Sequence, residues 1–247
     1  MQRALGLGKS SAHGERAFMK RLGVLRGRTE MSGDRLLDIG CGDGAYCVRL
    51  APSFTSVDAI DIQTDRLALF IERVAGTPLA DQITIREMSA DKLDYPDDTF
   101  DLVTAIEVLE HVTELDRALA EICRVLKPGG RFAFTTPNRW FPLETHGFHF
   151  RGRRYPPARG PFLTWIRPLH TRLARARTFT AKELRQRLTR AGLRTLSVDY
   201  IMPPFDQSAV GGRIRPITDL AERTPLRIFG MALVVTAGKR DPRADDR

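Results

Sequence analysis

Cysteine is scarce in this chain of 247 residues: Cys41, Cys47 and Cys123 are the only three, and none form a C-x-x-C pair. That excludes a disulfide framework and suits reduced thiols in the cytoplasm. Long apolar runs are missing too, so no transmembrane segment is expected. The N-terminus, "MQRALGLGKSSAHGERAF", is basic but lacks the apolar centre of a secretory signal. There is no internal repeat. Lysine is absent between Arg139 and Arg177, where nine arginines face a single acid, Glu144. That segment carries a formal +8 of the chain's net +9. Concentrated positive charge of this kind suits nucleic acid, anionic lipid or an acidic substrate, or a solvated surface.

What is present is a 42% hydrophobic chain, enough for one globular domain with a sizeable core. "ERAFMKRLGVLR" reads as an N-terminal helix within a helical segment spanning 1–34. "RLLDIGCGDG" is a short apolar strand running into glycines, and "GAYCVRLA" reads as a helix. "SVDAIDI" (56–62) is a strand, "TDRLALFIERVAG" (64–76) a helix stopped by glycine, and "ITIREM" (83–88) a strand. "FDLVTAIEV" (100–108) is an apolar strand after the turn signal "YPDDT". "ELDRALAEICRVLKPGG" is an amphipathic helix with a Pro-Gly-Gly stop, and "RFAFTTP" (131–137) is a fifth strand. Repeated alternation of strand and helix implies βαβ units, a parallel sheet and right-handed crossovers.

The alternation breaks at Pro137. Residues 137–178 hold six prolines, both tryptophans and the arginine cluster, which predicts an irregular insertion with at most short helices. Regular structure resumes with "TAKELRQRLTRAGL", opened by a capping box from Thr180 to Glu183. "RTLSVDYIM" and "GMALVVTAG" read as closing strands. The main domain is thus expected over 35–238, and the tail 239–247 is expected to be disordered.

Gly40, Gly42 and Gly44 directly follow a strand and open a helix. Such a turn lets the backbone approach a ligand closely, with helix N–H groups aimed at it. Asp61 lies 21 residues after Gly40, at the carboxyl end of the next strand, where it can accept ribose hydroxyls. Asp58 competes for that role but lies inside the strand. The spacing is G-x-G-x-G and not the G-x-G-x-x-G of a pyrophosphate binder.

These stretches resemble the class I S-adenosylmethionine-dependent methyltransferases. "LLDIGCGDG" is similar to their first motif and "DAIDI" to the second strand with its ribose-binding acid. "MSADKLDYPDDTFDLVTAIEVLEHV" and "VLKPGGRFAFTTPN" are similar to the stretches around strands four and five. The likeness is close over residues 30–138 and loose over 178–238. It implies a three-layer α/β/α Rossmann-like sandwich with a mostly parallel seven-stranded sheet and an antiparallel last strand. It also implies that Asp38, Gly40, Gly42 and Gly44 hold the methionyl part of S-adenosyl-L-methionine, and that Asp61 holds its ribose. Ser89, where the family often has an aspartate, and backbone groups of Ala90 fall at the adenine. Ile106 borders the methionyl group. With this cofactor the chemistry needs proximity, in-line geometry and sometimes a base.

"AIEVLEHV" places Glu107, Glu110 and His111 at i, i+3 and i+4, on one face of a helical turn, at the carboxyl edge of the sheet. Three roles stay open. The residues can satisfy local hydrogen bonds; His111 can act as a general base; or the cluster can hold Mg²⁺ or Mn²⁺. The run resembles that of ubiquinone-pathway O-methyltransferases. Small-RNA 2′-O-methyltransferases add a downstream histidine, for which His146 and His149 are the candidates.

The insertion 137–178 reads as an acceptor-site lid. Its interleaved aromatics and arginines suit an anionic small molecule, an anionic membrane surface or single-stranded RNA. The expected activity is O-methylation of a small or lipid-like acceptor. RNA 2′-O-methylation, a non-catalytic nucleotide-binding module and a dinucleotide-dependent oxidoreductase remain as alternatives.

Overall fold

The computed structural model describes residues 15–203, 216 and 218–241. Most of the tail expected to be disordered, from residue 242 on, lies outside them. Seven strands form one sheet: β1 (Gly33–Ile39), β2 (Phe54–Asp61), β3 (Ile83–Glu87), β4 (Phe100–Ile106), β5 (Leu126–Pro137), β8 (Leu193–Ile201) and β9 (Ala232–Lys239). A separate hairpin, β6 (Phe148–Phe150) and β7 (Arg153–Tyr155), lies in the insertion. The sheet order is β3-β2-β1-β4-β5-β9-β8, and β9 runs antiparallel to both neighbours. β4 is buried almost throughout, as expected for a central parallel strand covered on both faces.

Helices cover both faces, making three layers. On one side lie α1 (Glu15–Arg26), α2 (Cys47–Leu50) and α3 (Thr64–Val74). Phe18, Leu22 and Leu25 of α1 share a core with Leu67, Phe70 and Val74 of α3. The other side carries α4 (Leu115–Val125) and α6 (Ala181–Arg190). α4 buries Leu115, Ala118, Leu119, Ile122 and Val125, the apolar stripe that its sequence spells out. Each such large side chain removed from water contributes roughly 1.5–3 kcal/mol. Thr180 caps α6 by accepting from the Glu183 N–H, as the capping box requires. A further helix, α5 (Arg167–Leu173), is short and belongs to the insertion.

Two local expectations are corrected. "GAYCVRLA" is helical only over Cys47–Leu50, then tightens into a 3₁₀ turn at Ala51–Ser53. Gly44 at φ +78° bounds it on one side, and Pro52 on the other removes a donor and crowds the turn before it. "EVLEHV" is not a helical turn within α4, which begins only at Leu115. Glu107 has φ +57° and breaks the chain direction. The carbonyls that a helix would use are taken by Arg177: its N–H binds Glu110 O, and its guanidinium binds Val112 O and Thr113 O at 2.6 and 2.9 Å.

Candidate active site

The carboxyl ends of β1, β2 and β4 line up at one edge of the sheet, where Ile39 pairs with Ile60 and Ala105. A cavity opens there, lined by the glycine loop, Asp61, the turn after β3 and the turn after β4. This is the position at which open α/β sheets bind ligands.

The three glycines do different work. A Cβ on Gly44 would sit 2.2 Å from the Phe70 ring, and one on Gly40 would sit 2.3 Å from Val108 Cγ2. Both residues also have positive φ, so they are fixed by packing and backbone together. Gly42 matters through its N–H, which donates to Asp61 Oδ2 at 2.9 Å. Asp61 Oδ1 accepts from Gln63 N at 2.9 Å. Asp61 therefore ties the glycine loop to the end of β2 while lining the cavity. Its rival Asp58 sits within β2, opposite Leu37, and is engaged by Arg35 at 2.8 Å.

Asp38 lies one layer behind the cavity wall. Thr104 donates to its Oδ1 at 2.7 Å, while Oδ2 is buried with no hydrogen-bond partner among the described residues. Burial chiefly, with the nearby Asp61 charge, pushes its carboxyl up to about 7. A cation arriving above the loop would favour its ionised form. Cys41 lines the same wall, and burial beside Asp38 and Asp61 keeps it a thiol. Ser89, Ala90 and Asp91 line the opposite wall, and the Ser89 hydroxyl donates to the Asp91 carboxylate. Ile106 and Glu107 close the floor beside β4.

Arg21 and Tyr46 are among the lining residues that escaped the sequence reading. Arg21 of α1 enters the cavity almost fully buried, its Nε 3.7 Å from Glu107 Oε1 and without a hydrogen bond of its own among the described residues, while its guanidinium also meets the Tyr46 hydroxyl. Tyr46 stands beside it, stacked on Phe18 with centroids 3.9 Å apart. Burial pushes the Tyr46 hydroxyl up to about 12. A signal existed for Arg21: it shares a helix face with Phe18, Leu22 and Leu25, where a charge has no business unless it is used.

The acid-histidine run divides. Glu107 accepts from the Thr135 hydroxyl at 2.9 Å and leans toward Arg21. Glu110 turns the other way and is fully buried, with His146 Nε2 3.6 Å from its Oε1. Burial, then the Glu107 charge, holds the Glu110 carboxyl well above the ordinary range. His111 lines the cavity and meets His146 edge to face, with ring centroids 5.3 Å apart. Ligand atoms of Glu110, His111 and His146 all lie within 4.8 Å of one another. Burial shifts His146 downward, toward the neutral imidazole. His149, the other candidate from the lid, sits in β6 opposite Arg154.

Residues 37–134 match the family described as "Methyltransferase domain". That stretch is a methyltransferase domain, and the chain is similar to S-adenosylmethionine-dependent methyltransferases. A solved S-adenosylmethionine-dependent methyltransferase from Mesorhizobium loti is 27% identical, with a TM-score of 0.62 over 88% of this chain and 96% of that one. A ubiquinone/menaquinone biosynthesis C-methyltransferase of Geobacter sulfurreducens is 34% identical over 48% of this chain and 48% of its own length. A ubiquinone biosynthesis O-methyltransferase of Methylococcus capsulatus is 32% identical over 60% of this chain and 63% of its own. The chain thus spans about half to three-fifths of these curated relatives. The methyltransferase family implies S-adenosylmethionine as cofactor, and Gly40, Gly42, Asp61, Ser89, Ala90 and Ile106, the residues expected to hold it, line the cavity at the sheet edge. Among the described residues, no helix is long and apolar enough to cross a membrane.

Proposed function

We propose that this methyltransferase transfers a methyl group to an oxygen of a small or lipid-like acceptor. The observation that carries the reading is the imidazole of His111, exposed to the cavity and backed by buried Glu110 and by His146 from the lid. When bound, S-adenosylmethionine supplies an electrophilic methyl: the acceptor oxygen forms the new C–O bond as the S–C bond breaks, its electron pair staying on sulfur. His111 takes the hydroxyl proton. Arg21 is placed to pair with the methionyl carboxylate, its buried guanidinium having only Glu107 at 3.7 Å for a counter-ion among the described carboxylates. Asp61 accepts the ribose hydroxyls, and the Ser89–Asp91 pair with the Ala90 backbone meets the adenine edge.

The same cluster also fits a metal. Glu110 Oε1 is buried without a hydrogen-bond partner among the described residues and faces two imidazoles. One carboxylate and two nitrogen donors suit Mn²⁺ better than Mg²⁺, which prefers an all-oxygen shell. Held by Glu110, His111 and His146, the ion would acidify an acceptor hydroxyl. Glu107 is drawn away by Thr135 and Arg21, so the metal set differs from the run read off the sequence.

His111→Ala should lower turnover on phenolic quinone precursors by about 10²–10⁴-fold, with affinity for S-adenosylhomocysteine unchanged. Mass spectrometry of the methylated product and calorimetry check the two halves. A chelator that abolishes wild-type turnover, restored by Mn²⁺, would select the metal reading over the plain base. Unchanged turnover in the variant would remove His111 from the chemistry.

A further inference from the structure

The lid carries a patch that the methyl-transfer reading does not use. Trp140, Phe162, Trp165, Ile166 and Leu169 are exposed, each by 40% or more. So are Leu226 and Ile228, with Phe229 close behind, in the 3₁₀ turn Pro225–Phe229. The two segments form one surface centred on Trp165. Its ring lies 6.5 Å from Trp140, 4.7 Å from Phe162 and 6.3 Å from Phe229.

These aromatics are held in place. Trp165 Nε1 donates to Trp140 O at 3.1 Å. The Asn138 side-chain amide donates to Ile228 O and Gly230 O, both at 2.7 Å, clamping the 3₁₀ turn to the end of β5. Exposed rings on a hydrogen-bonded scaffold mark an interaction site more than a loose loop does. Their place in the fold adds to this. Pro137 at the carboxyl end of β5 pairs with Ala232 at the start of β9, so both segments leave the sheet at the edge where the cavity opens.

Three exposed arginines flank the patch. Arg159, Arg167 and Arg227 are exposed beside Phe162, Ile166 and Ile228 in sequence. Arg167 has a distant partner, Glu183 at 3.7 Å, while Arg159 and Arg227 have no carboxylate within ion-pair range among the described residues. Tryptophan and phenylalanine flanked by unpaired arginines match the interfacial zone of an anionic bilayer, apolar below and phosphate above.

We propose that this patch docks the protein on an anionic membrane surface, with the cavity edge facing the lipid. Docking does not depend on which acceptor is methylated, but it would place the cavity beside an apolar acceptor dissolved in the membrane.

The test is co-sedimentation with mixed phosphatidylglycerol and phosphatidylcholine vesicles, and with phosphatidylcholine alone. The wild type should partition onto the mixed vesicles at least about tenfold more strongly, and high salt should weaken that binding. Phe162→Ser with Trp165→Ser should reduce partitioning by about tenfold or more at low salt. Arg159→Glu with Arg227→Glu should do the same, and carries the test if the aromatic variant fails to fold. Binding of S-adenosylhomocysteine should be unchanged in both, which separates failure of docking from failure of the cofactor site. Equal partitioning onto both vesicle types, or variants that sediment like the wild type, would overturn the proposal. So would finding that the aromatic substitutions instead dissolve a dimer, or that the arginines are needed for single-stranded RNA and not for vesicles.

Discussion

Asp61→Ala should weaken binding of S-adenosylhomocysteine by about 100-fold, or about 2.7 kcal/mol. The carboxylate does two jobs at once. It accepts the backbone N–H of Gly42 and of Gln63, each at 2.9 Å, so that the glycine loop and the chain after β2 are held by one side chain. A carboxylate has about four lone-pair sites, leaving room for ribose hydroxyls as well. Hydrogen bonds to a charged group contribute about 1.5–3 kcal/mol each, and a buried N–H left without an acceptor costs about 1–3 kcal/mol. Truncation therefore removes the ribose contacts and loosens the loop that cradles the methionyl end. Asp61→Asn keeps the shape and one acceptor, so calorimetry should find it between wild type and alanine. An alanine variant within threefold of wild type would mean that Asp61 only braces the loop and never touches the ligand.

Gly44→Ala should be the most damaging single change to stability around the site. Its Cβ would sit 2.2 Å from two carbons of the Phe70 ring, and Phe70 is fully buried against β2 and α3 neighbours. Non-glycine residues at positive φ cost about 1–2 kcal/mol, and forced overpacking costs about 1–3 kcal/mol more. The expected loss of about 2–5 kcal/mol would lower the thermal midpoint by roughly 5–15 °C in a chain of this size. Gly42→Ala is the internal control. Its Cβ would meet only the mobile end of Arg66 at 3.0 Å, so only the backbone penalty applies. Thermal unfolding of the two variants side by side decides it. Equal midpoints would mean that the Phe70 contact is relieved by a shift that costs little.

The sheet was legible because its signals are local and repeated. Apolar strands end in glycine or acid, the helix stripes of α3 and α4 recur at helical spacing, and Thr180 with Glu183 announces its own helix. The antiparallel β9 came from family likeness alone, since nothing in "GMALVVTAG" states its direction. The cavity wall was legible where the signal is local, as at Gly40, Gly42 and Asp61, which line it, whereas Gly44 is outside the lining and packs against Phe70. It was less so where distant segments meet. Arg21 reaches the cavity from the first helix, and its charge is interpretable only once Glu107 is beside it. The split of the acid-histidine run arises from the left-handed backbone at Glu107 and from Arg177 holding the turn's carbonyls. Neither is visible in residue spacing, which assumed a helix. His146 joins Glu110 because the lid folds back: buried Glu144 accepts from His146 N at 2.8 Å and pairs with His170 at 2.6 Å. Spacing alone left His146 and His149 equivalent.

Calorimetric titration of the wild-type chain with S-adenosylhomocysteine and, separately, with NAD tests the cofactor assignment most directly. The geometry of the glycine loop, Asp61 and Arg21 predicts one-to-one binding of S-adenosylhomocysteine, weakened about 100-fold in Asp61→Ala, and no binding of NAD. A flat titration with S-adenosylhomocysteine, or binding of NAD at the same site, would contradict it.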